Sequence, residues 1–412
     1  MNARREQFLF YSMIAMLAAL FTSRAMLSVF TILFIILSFL HRDIKTHFRN
    51  FFSSPLLWSM SLLFVLPFLS GLWSEDKQEW LQIVRIKLPL FFLPLSFAGP
   101  FSFSRKQWNL LAYIFIGLIT AATLWSMFEY SLDVQAINKS YLKAKSIITP
   151  LENDRVRFSW LIAIAILLSG KTAWHSIYLK KGIAWLWIAL ILWLIIFLHI
   201  LAVRTGLIVF YVIAITATIW LIIKKIKRNY AIVALLSLFI LPYIAYRVLP
   251  SFHNRVDYFI YDYSYFKEIH YLPGGNDALR VISLTAGWNV LNKNPAMGVG
   301  AGDIFTEIKK WYIAQYPQMQ PVDMLYPSSN WLLYGDACGW PGLILFACIM
   351  SVPFFIPRRH RTVWLLLNFA TAFSLLFDVG LEVQFGVFIY SFIVLWWWKW
   401  LSPENGITLK HD

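Results

Sequence analysis

Long apolar runs constrain this chain more than any other feature. Stretches of about 15–22 residues with almost no charge recur from one end to the other, and about 20 such residues cross a bilayer as a helix. Backbone inside lipid must satisfy its own hydrogen bonds, which leaves a helical bundle or a closed barrel. A barrel would show short segments alternating apolar with polar residues. These runs do not alternate. With 59% hydrophobic and 14% charged residues in 412, and a mean hydropathy of +0.63, the expected fold is an all-α polytopic membrane protein.

Twelve spans are expected, at about 7–22, 25–40, 55–72, 83–99, 108–128, 157–170, 183–202, 206–223, 230–249, 331–356, 362–377 and 384–401, each boundary good to roughly 2–4 residues. The start, "MNARREQFLFYSMIAMLAALFTSRA", has the basic-then-apolar look of a signal peptide. It lacks a small-x-small cleavage site and a second apolar run follows at once, so an uncleaved first helix is expected. The organisation is then helices 1–9 over residues 1–249, a large loop with short helices over 250–330, and helices 10–12 with a tail over 331–412.

Lysine and arginine orient the bundle, because cytoplasmic loops hold the excess of both. The pieces "NARRE", "HRDIKTHFRN", "SRKQ", "GKTAWHSIYLKKG", "KKIKRN", "PRRHR" and the C-terminal tail fall on one side. Their only acids are Glu6, Asp43, Glu404 and Asp412, so the whole formal net charge of +15 lies on that face. Both termini are therefore expected in the cytoplasm and the large loop on the outer face of the membrane. The same distribution removes a nucleic-acid reading of the pI near 9.7, since the positives are anchors spread over short loops. The last run ends "VLWWWKWLSPENG", where four tryptophans and a lysine read as an interfacial belt.

Several kinds of chemistry have no hardware here. Cys338 and Cys348 lie in or beside one apolar run, so no disulfide framework is expected. There is no HExxH, no glycine-rich phosphate loop and no soluble nucleotide domain. The loop after the first span, "TSR", holds no acid for a metal. No metal and no other cofactor is expected.

What remains on the outer side is a set of cations at membrane boundaries. Arg204 sits in a connection of two or three residues between spans 7 and 8, in "LHILAVRTGLIVFYV". Arg85 and Lys87 lie in "WLQIVRIKLPL", with Glu75, Asp76 and Glu79 near enough in sequence to pair with them. Arg155 and Arg157 open span 6 in "ENDRVRFSW", and Arg280 lies in the large loop in "DALRVISLTAGW". A lone arginine at a helix end often only snorkels to head groups. Several converging arginines suit a lipid-linked diphosphate, because the guanidinium fork binds phosphate bidentately and stays charged. His199, one turn before Arg204, reads as a packing or hydrogen-bonding residue.

Three further patterns stand out. In "NKNPAMGVGAGDIF", Gly298, Gly300 and Gly302 alternate, which lets backbone turn tightly and approach a ligand. In "DIFTEIKKWYIAQY", Ile304, Phe305, Ile308, Trp311 and Tyr312 recur at helical spacing and predict a short helix on the membrane surface. "YPSSNWLLYGDACGWPGLILF" leads from the loop into span 10, with Ser328, Ser329 and Asn330 as polar helix starters and Gly335, Gly339 and Gly342 for close helix packing. Asp378, Glu382 and Gln384 lie between spans 11 and 12, placed to meet the arginines.

Taken in order, "GLWSEDKQEW", "KLPLFFLPL", "RTG", the arginine before "NKNPAMGVGAGDIF", "NWLLYGDACGWPGLILF" and "LEVQFGVF" resemble the O-antigen ligase/O-antigen polymerase superfamily over most of the chain. The resemblance implies a metal-independent membrane glycosyltransferase of the bacterial inner membrane, acting at the periplasmic face that carries the large loop. An undecaprenyl-diphosphate-linked glycan would be the donor, and lipid A–core or another glycan the acceptor. Membrane lipids are implied as surroundings and nucleic acid is not a partner. It further implies that Arg204 and Arg280 hold the diphosphate and stabilise charge on the leaving group. Arg85, Lys87, Arg157, the three alternating glycines and Asn330 are the substrate-binding set. Where that family often reads Pro-His-Asn, this chain reads Pro327-Ser328-Ser329-Asn330, so Ser328 stands where a general base is usual. Serine has no useful basicity near neutral pH. His253, His270 or Asp323 would then take over, or the base is dispensable, or the activity of this member is altered. Ligase is favoured over polymerase, and protein glycosylation is a third variant. A flippase or other transporter is the reading from a different class; it predicts repeat symmetry between halves and broken helices at the midplane, and the sequence has neither.

Overall fold

The computed structural model describes residues 2–402, apart from 144, 180–181, 224–227 and 270. Among the described residues there are helices and no strands. In chain order the α-helices are α1 (Asn2–Leu20), α2 (Arg24–Phe39), α3 (Ile44–Ser53), α4 (Pro55–Ser70), α5 (Lys77–Phe97), α6 (Arg105–Leu132), α7 (Val134–Tyr141), α8 (Pro150–Asn153) and α9 (Arg155–Tyr178). They continue as α10 (Ala184–Leu201), α11 (Arg204–Ile223), α12 (Arg228–Val248), α13 (Pro250–Ile269), α14 (Asp277–Lys293), α15 (Ile304–Gln315), α16 (Asn330–Phe355), α17 (Arg361–Ser374) and α18 (Gln384–Trp400). Single 3-10 turns occupy Pro321–Asp323 and Gly380–Glu382.

Every one of the twelve expected apolar segments is helical. Five of these helices, α5, α6, α9, α10 and α16, are long and apolar enough to cross a membrane, and the number rises to seven if two bent pairs each make one span. Those pairs are α2 with α3, bent by 111°, and α12 with α13, bent by 99°. This is a membrane protein, but length and hydropathy alone do not reach twelve. The shortfall is geometric: α17 has 14 residues and α4 has 16, about 21 and 24 Å of helix against a hydrocarbon core of about 30 Å.

Short polar side chains start many of these helices by accepting their free N–H groups. Asp76 caps α5 through Glu79 N–H, Asp154 caps α9 through Arg157 N–H, and Ser104 with Gln107 forms a reciprocal capping box on α6. Ser329 caps α16 by accepting from Leu332 N–H. One apolar core runs through α1, α2, α4–α6, α9–α11 and α16–α18, and a second, smaller one lies under α14 and α15. The short helix forms as α15, but Ile304, Ile308 and Tyr312, expected to face a membrane surface, are buried against that second core.

The tryptophan belt needs correction. Trp396 and Trp397 are fully buried, inside the bundle rather than at its edge, because α18 is surrounded by α5, α9, α17 and the Gly380–Glu382 turn. Lys399 is likewise turned inward, donating to the carbonyls of Phe97 and Gly99.

Candidate functional site

Five loops and helices that are far apart in sequence meet around one small open cavity of about 50 Å³. Its walls carry Arg155 from the start of α9, Arg204 from the start of α11, Arg255 from α13 and Arg280 from α14, with Lys145 beside them. Each arginine is delivered by a local device. Ala202 sits in the left-handed region at φ +48°, which lets the chain reverse in two residues and present Arg204 as the first residue of α11. Asp154, the cap of α9, sets Arg155 and Arg157 on that helix's first turn. Asp262 of α13 accepts from the backbone N–H groups of Asn276 and Ala278, and so fixes the start of α14, one turn before Arg280.

Carboxylates behind the wall hold the arginines. Arg204 pairs with Asp277, which is 4% exposed. Asp277 lies less than one turn from Arg280 on α14, so this pair locks the two arginines into one neighbourhood. Arg157 lies behind the cavity, 3.4 Å from Asp378 and 3.6 Å from Asp154. Burial lowers the Arg280 guanidinium from its ordinary value; Asp378 opposes that shift and Arg157 adds to it. Burial also raises the Asp378 carboxyl, with Arg157 and Arg280 pulling the other way. Arg155 donates to Ser146. The Nη1 of Arg255 is buried without a hydrogen-bond partner among the described residues. Four half-buried guanidinium groups around one cavity, one of them with an unpartnered Nη1, suit an anion, because charge-assisted hydrogen bonds to it offset the hydration they have lost.

The other expected site residues are spread more widely. Ser328 is beside α14: its N–H donates to Ser283 Oγ, and the two hydroxyl oxygens are 3.0 Å apart. Ser283 also donates to the carbonyl of Arg280. Arg85 is exposed on α5 and is not on the cavity wall. Lys87 is 2% exposed and pairs with Glu382 at 2.5 Å, not with Glu75, Asp76 or Glu79. Asn330 closes the same knot, donating to Glu382 and accepting from Leu381 N–H. Lys87 and Glu382 edge a second, mostly apolar cavity of about 20 Å³.

The alternating glycines form a clasp away from the arginines. Gly298 and Gly300 have φ of +68° and +87°, and a Cβ on Gly300 would overlap Ser74 Oγ. The clasp joins three parts: Val299 N–H donates to the Asp336 carbonyl, Gly302 N–H to Ser74, and the Asp303 carboxylate accepts from Glu75 and Asp76 N–H. Backbone approaches backbone here, which is why no side chain fits at these positions.

The expected replacement bases are occupied or outside the described residues. Asp323 accepts from the Tyr271 hydroxyl and Gly274 N–H. His253 stacks on Tyr246 and pairs with Asp257 at 3.1 Å, and His270 lies outside the described residues. His199 is buried with both ring nitrogens bonded, to the Ile195 carbonyl and the Tyr211 hydroxyl. Gln384 donates to Ser28. Sequence reasoning missed Arg255 and Lys145. Arg255 was hidden in an aromatic-rich stretch, and the usable signal was its spacing: Arg255, Tyr258 and Asp262 share one face of a helix.

Residues 188–347 match a family model described as O-antigen ligase. The match covers Arg204, Arg255, Arg280 and Ser328, and it supports the likeness to the O-antigen ligase/polymerase superfamily drawn from the motifs. No curated protein matches the chain.

Proposed function

With an O-antigen ligase domain at residues 188–347 as the premise, we propose that this protein transfers a glycan from undecaprenyl diphosphate to an acceptor at the periplasmic face of the inner membrane. The acceptor is lipid A–core, as in an O-antigen ligase. The observation that carries the reading is the single cavity lined by Arg155, Arg204, Arg255 and Arg280.

The chemistry follows from charge. An acceptor hydroxyl attacks the anomeric carbon of the donor glycan. The new C–O bond forms as the bond from that carbon to the diphosphate oxygen breaks, and the hydroxyl proton passes to the departing diphosphate. Negative charge then grows on the departing diphosphate, and fixed guanidinium groups stabilise it there without reorganising. Arg204 and Arg280 meet this charge most directly, Arg255 and Arg155 complete the cradle, and Asp277 and Asp378 hold the cationic wall in place. Ser328, held beside Arg280 by the buried Ser283, orients the acceptor by a hydrogen bond. The donor lipid already carries the activation, so the proposed step uses no nucleotide and no metal.

In this reading the chain crosses the membrane twelve times with both termini in the cytoplasm. Support comes from which segments touch. The cavity draws only on segments that the lysine and arginine bias puts outside. Lys399 with Phe97 and Gly99, His47 with Leu95, Asn50 with Ala98, and Arg359 with Leu401 join only segments near the face it puts inside.

The test is genetic. Deletion of the gene in its host, with the surface polysaccharide run on a gel, is expected to remove polymer from lipid A–core while long polymer remains on its carrier lipid. Wild type restores it and Arg204→Ala does not. Single-repeat attachment in the deletion strain would make the protein a polymerase, and full restoration by Arg204→Ala would remove the diphosphate role.

A further inference from the structure

Helix α13 begins at the arginine cavity and continues past it. Arg255 lines the cavity and its guanidinium stands 5.5 Å over the Tyr258 ring. Tyr258 and Asp262 are buried, one turn apart, and the bonds from Asp262 to the start of α14 fix how α13 is rotated about its axis. That rotation leaves Phe259, Tyr261, Tyr263 and Tyr265 each 38% to 49% exposed. They form two rows. Tyr261 and Tyr265 have ring centroids 4.7 Å apart, and Phe259 and Tyr263 are 6.1 Å apart with planes within 11°. The helix is bent by 99° from the apolar helix before it, so where α12 stands across a bilayer, α13 runs along its surface.

An aromatic face in that position meets either the head-group layer or the glycan of a bound donor. Helices built for head groups carry many lysines or arginines opposite tryptophan, phenylalanine or leucine. Beyond Arg255, α13 has Lys267 as its only basic residue and carries Asp257, Asp262 and Glu268. Its exposed rings are mostly tyrosines: Tyr263 stands between Phe259 and the Lys267 ammonium, which lies 5.0 Å from its ring, while Tyr261 and Tyr265 offer flat faces that stack on the C–H face of a pyranose and hydroxyls that bond to sugar hydroxyls. From Arg255 to Tyr265 the helix runs about 15 Å, continuous with the cavity.

We propose that the exposed tyrosine face of α13 holds the oligosaccharide of the donor while its diphosphate sits among the arginines. The proposal rests on reading the cavity as the diphosphate site. The tyrosine face therefore selects donors that carry several sugars over donors that carry one.

Two probes test this on the purified full-length protein in nanodiscs: the host's lipid-linked oligosaccharide, and the same polyprenyl diphosphate bearing a single sugar. Tyr261→Ala/Tyr263→Ala/Tyr265→Ala is expected to weaken binding of the oligosaccharide donor roughly tenfold and to leave the single-sugar donor unchanged, since only the former reaches the rings. The corresponding triple Phe variant keeps the stacking faces and loses about threefold or less. Tyr261→Ala alone, at an exposed position, shifts binding in the same direction if the triple variant folds poorly. Equal weakening of both donors, or no change in either, overturns the proposal. So does a loss seen in nanodiscs but not in detergent, which would assign the face to lipid. Arg204→Ala checks the premise separately: it weakens both donors, and if it weakens neither the cavity reading fails whatever the tyrosine variants do.

Discussion

Arg204 is held by Asp277, a carboxylate that is 4% exposed, and this pairing decides how its substitution must be read. Arg204→Ala removes a cation from the cavity and also leaves a buried acid unpaired, which costs about 3–5 kcal/mol. Arg204→Ala with Asp277→Asn relieves the second effect, so the double variant is expected to fold like wild type and still transfer glycan about 10²–10³-fold more slowly. Arg280→Ala is expected to slow transfer by the same order. Arg204→Lys keeps the charge and loses the fork, and about tenfold of the rate goes with it. Quantifying glycosylated acceptor by gel in membranes separates these outcomes; full activity in the double variant would remove Arg204 from the site. Arg155, Arg204 and Arg280 were legible in the sequence as cations at apolar boundaries. Arg255 was not, because nothing local distinguishes it from a surface arginine among aromatic residues.

Between elements, buried polar contacts set the register. Lys87 on α5 binds Glu382, and Asn330 at the start of α16 binds both Glu382 and the adjoining backbone. Glu382→Leu should therefore lower stability by about 3–5 kcal/mol, because it strands a buried ammonium, while Lys87→Met with Glu382→Leu should cost much less. Thermal unfolding in detergent by tryptophan fluorescence would show the order, and equal losses would mean the pair contributes nothing. The clasp makes a steric prediction. Gly300→Ala drives a methyl into Ser74 Oγ at a φ of +87°, so it should destabilise by about 1–3 kcal/mol. Ala202 at φ +48° should accept glycine and reject valine, since a β-branched residue is strained there. Normal yield and activity in Ala202→Val would show that the turn before Arg204 tolerates another path. The alternation of Gly298, Gly300 and Gly302 was plain in the sequence, but it pointed equally to a ligand and to a neighbouring backbone.

For the whole molecule, the two sets of loop contacts predict a two-sided labelling pattern. In a background with Cys338 and Cys348 replaced by serine, Lys310→Cys on α15 should react with a membrane-impermeant maleimide in intact spheroplasts. Arg42→Cys, between α2 and α3, should react only after permeabilisation. Both side chains are exposed, so a shared pattern would overturn the twelve-span arrangement. The bent pairs make this worth measuring, because α2 with α3 turns by 111° where the sequence suggested a span followed by a loop.

The sequence by itself determined that the chain is helical and where its apolar segments lie, and it predicts that its charge falls on one face. These are consequences of local hydropathy and of lysine and arginine placement, which act on each segment separately. Only the tertiary structure decided which cations share a cavity, that Lys87 is neutralised by Glu382, that Trp396 and Trp397 sit inside the bundle, and that α13 turns its tyrosines outward. Each of those facts depends on the distance between segments far apart in sequence. Helix packing sets that distance, and no local pattern encodes it.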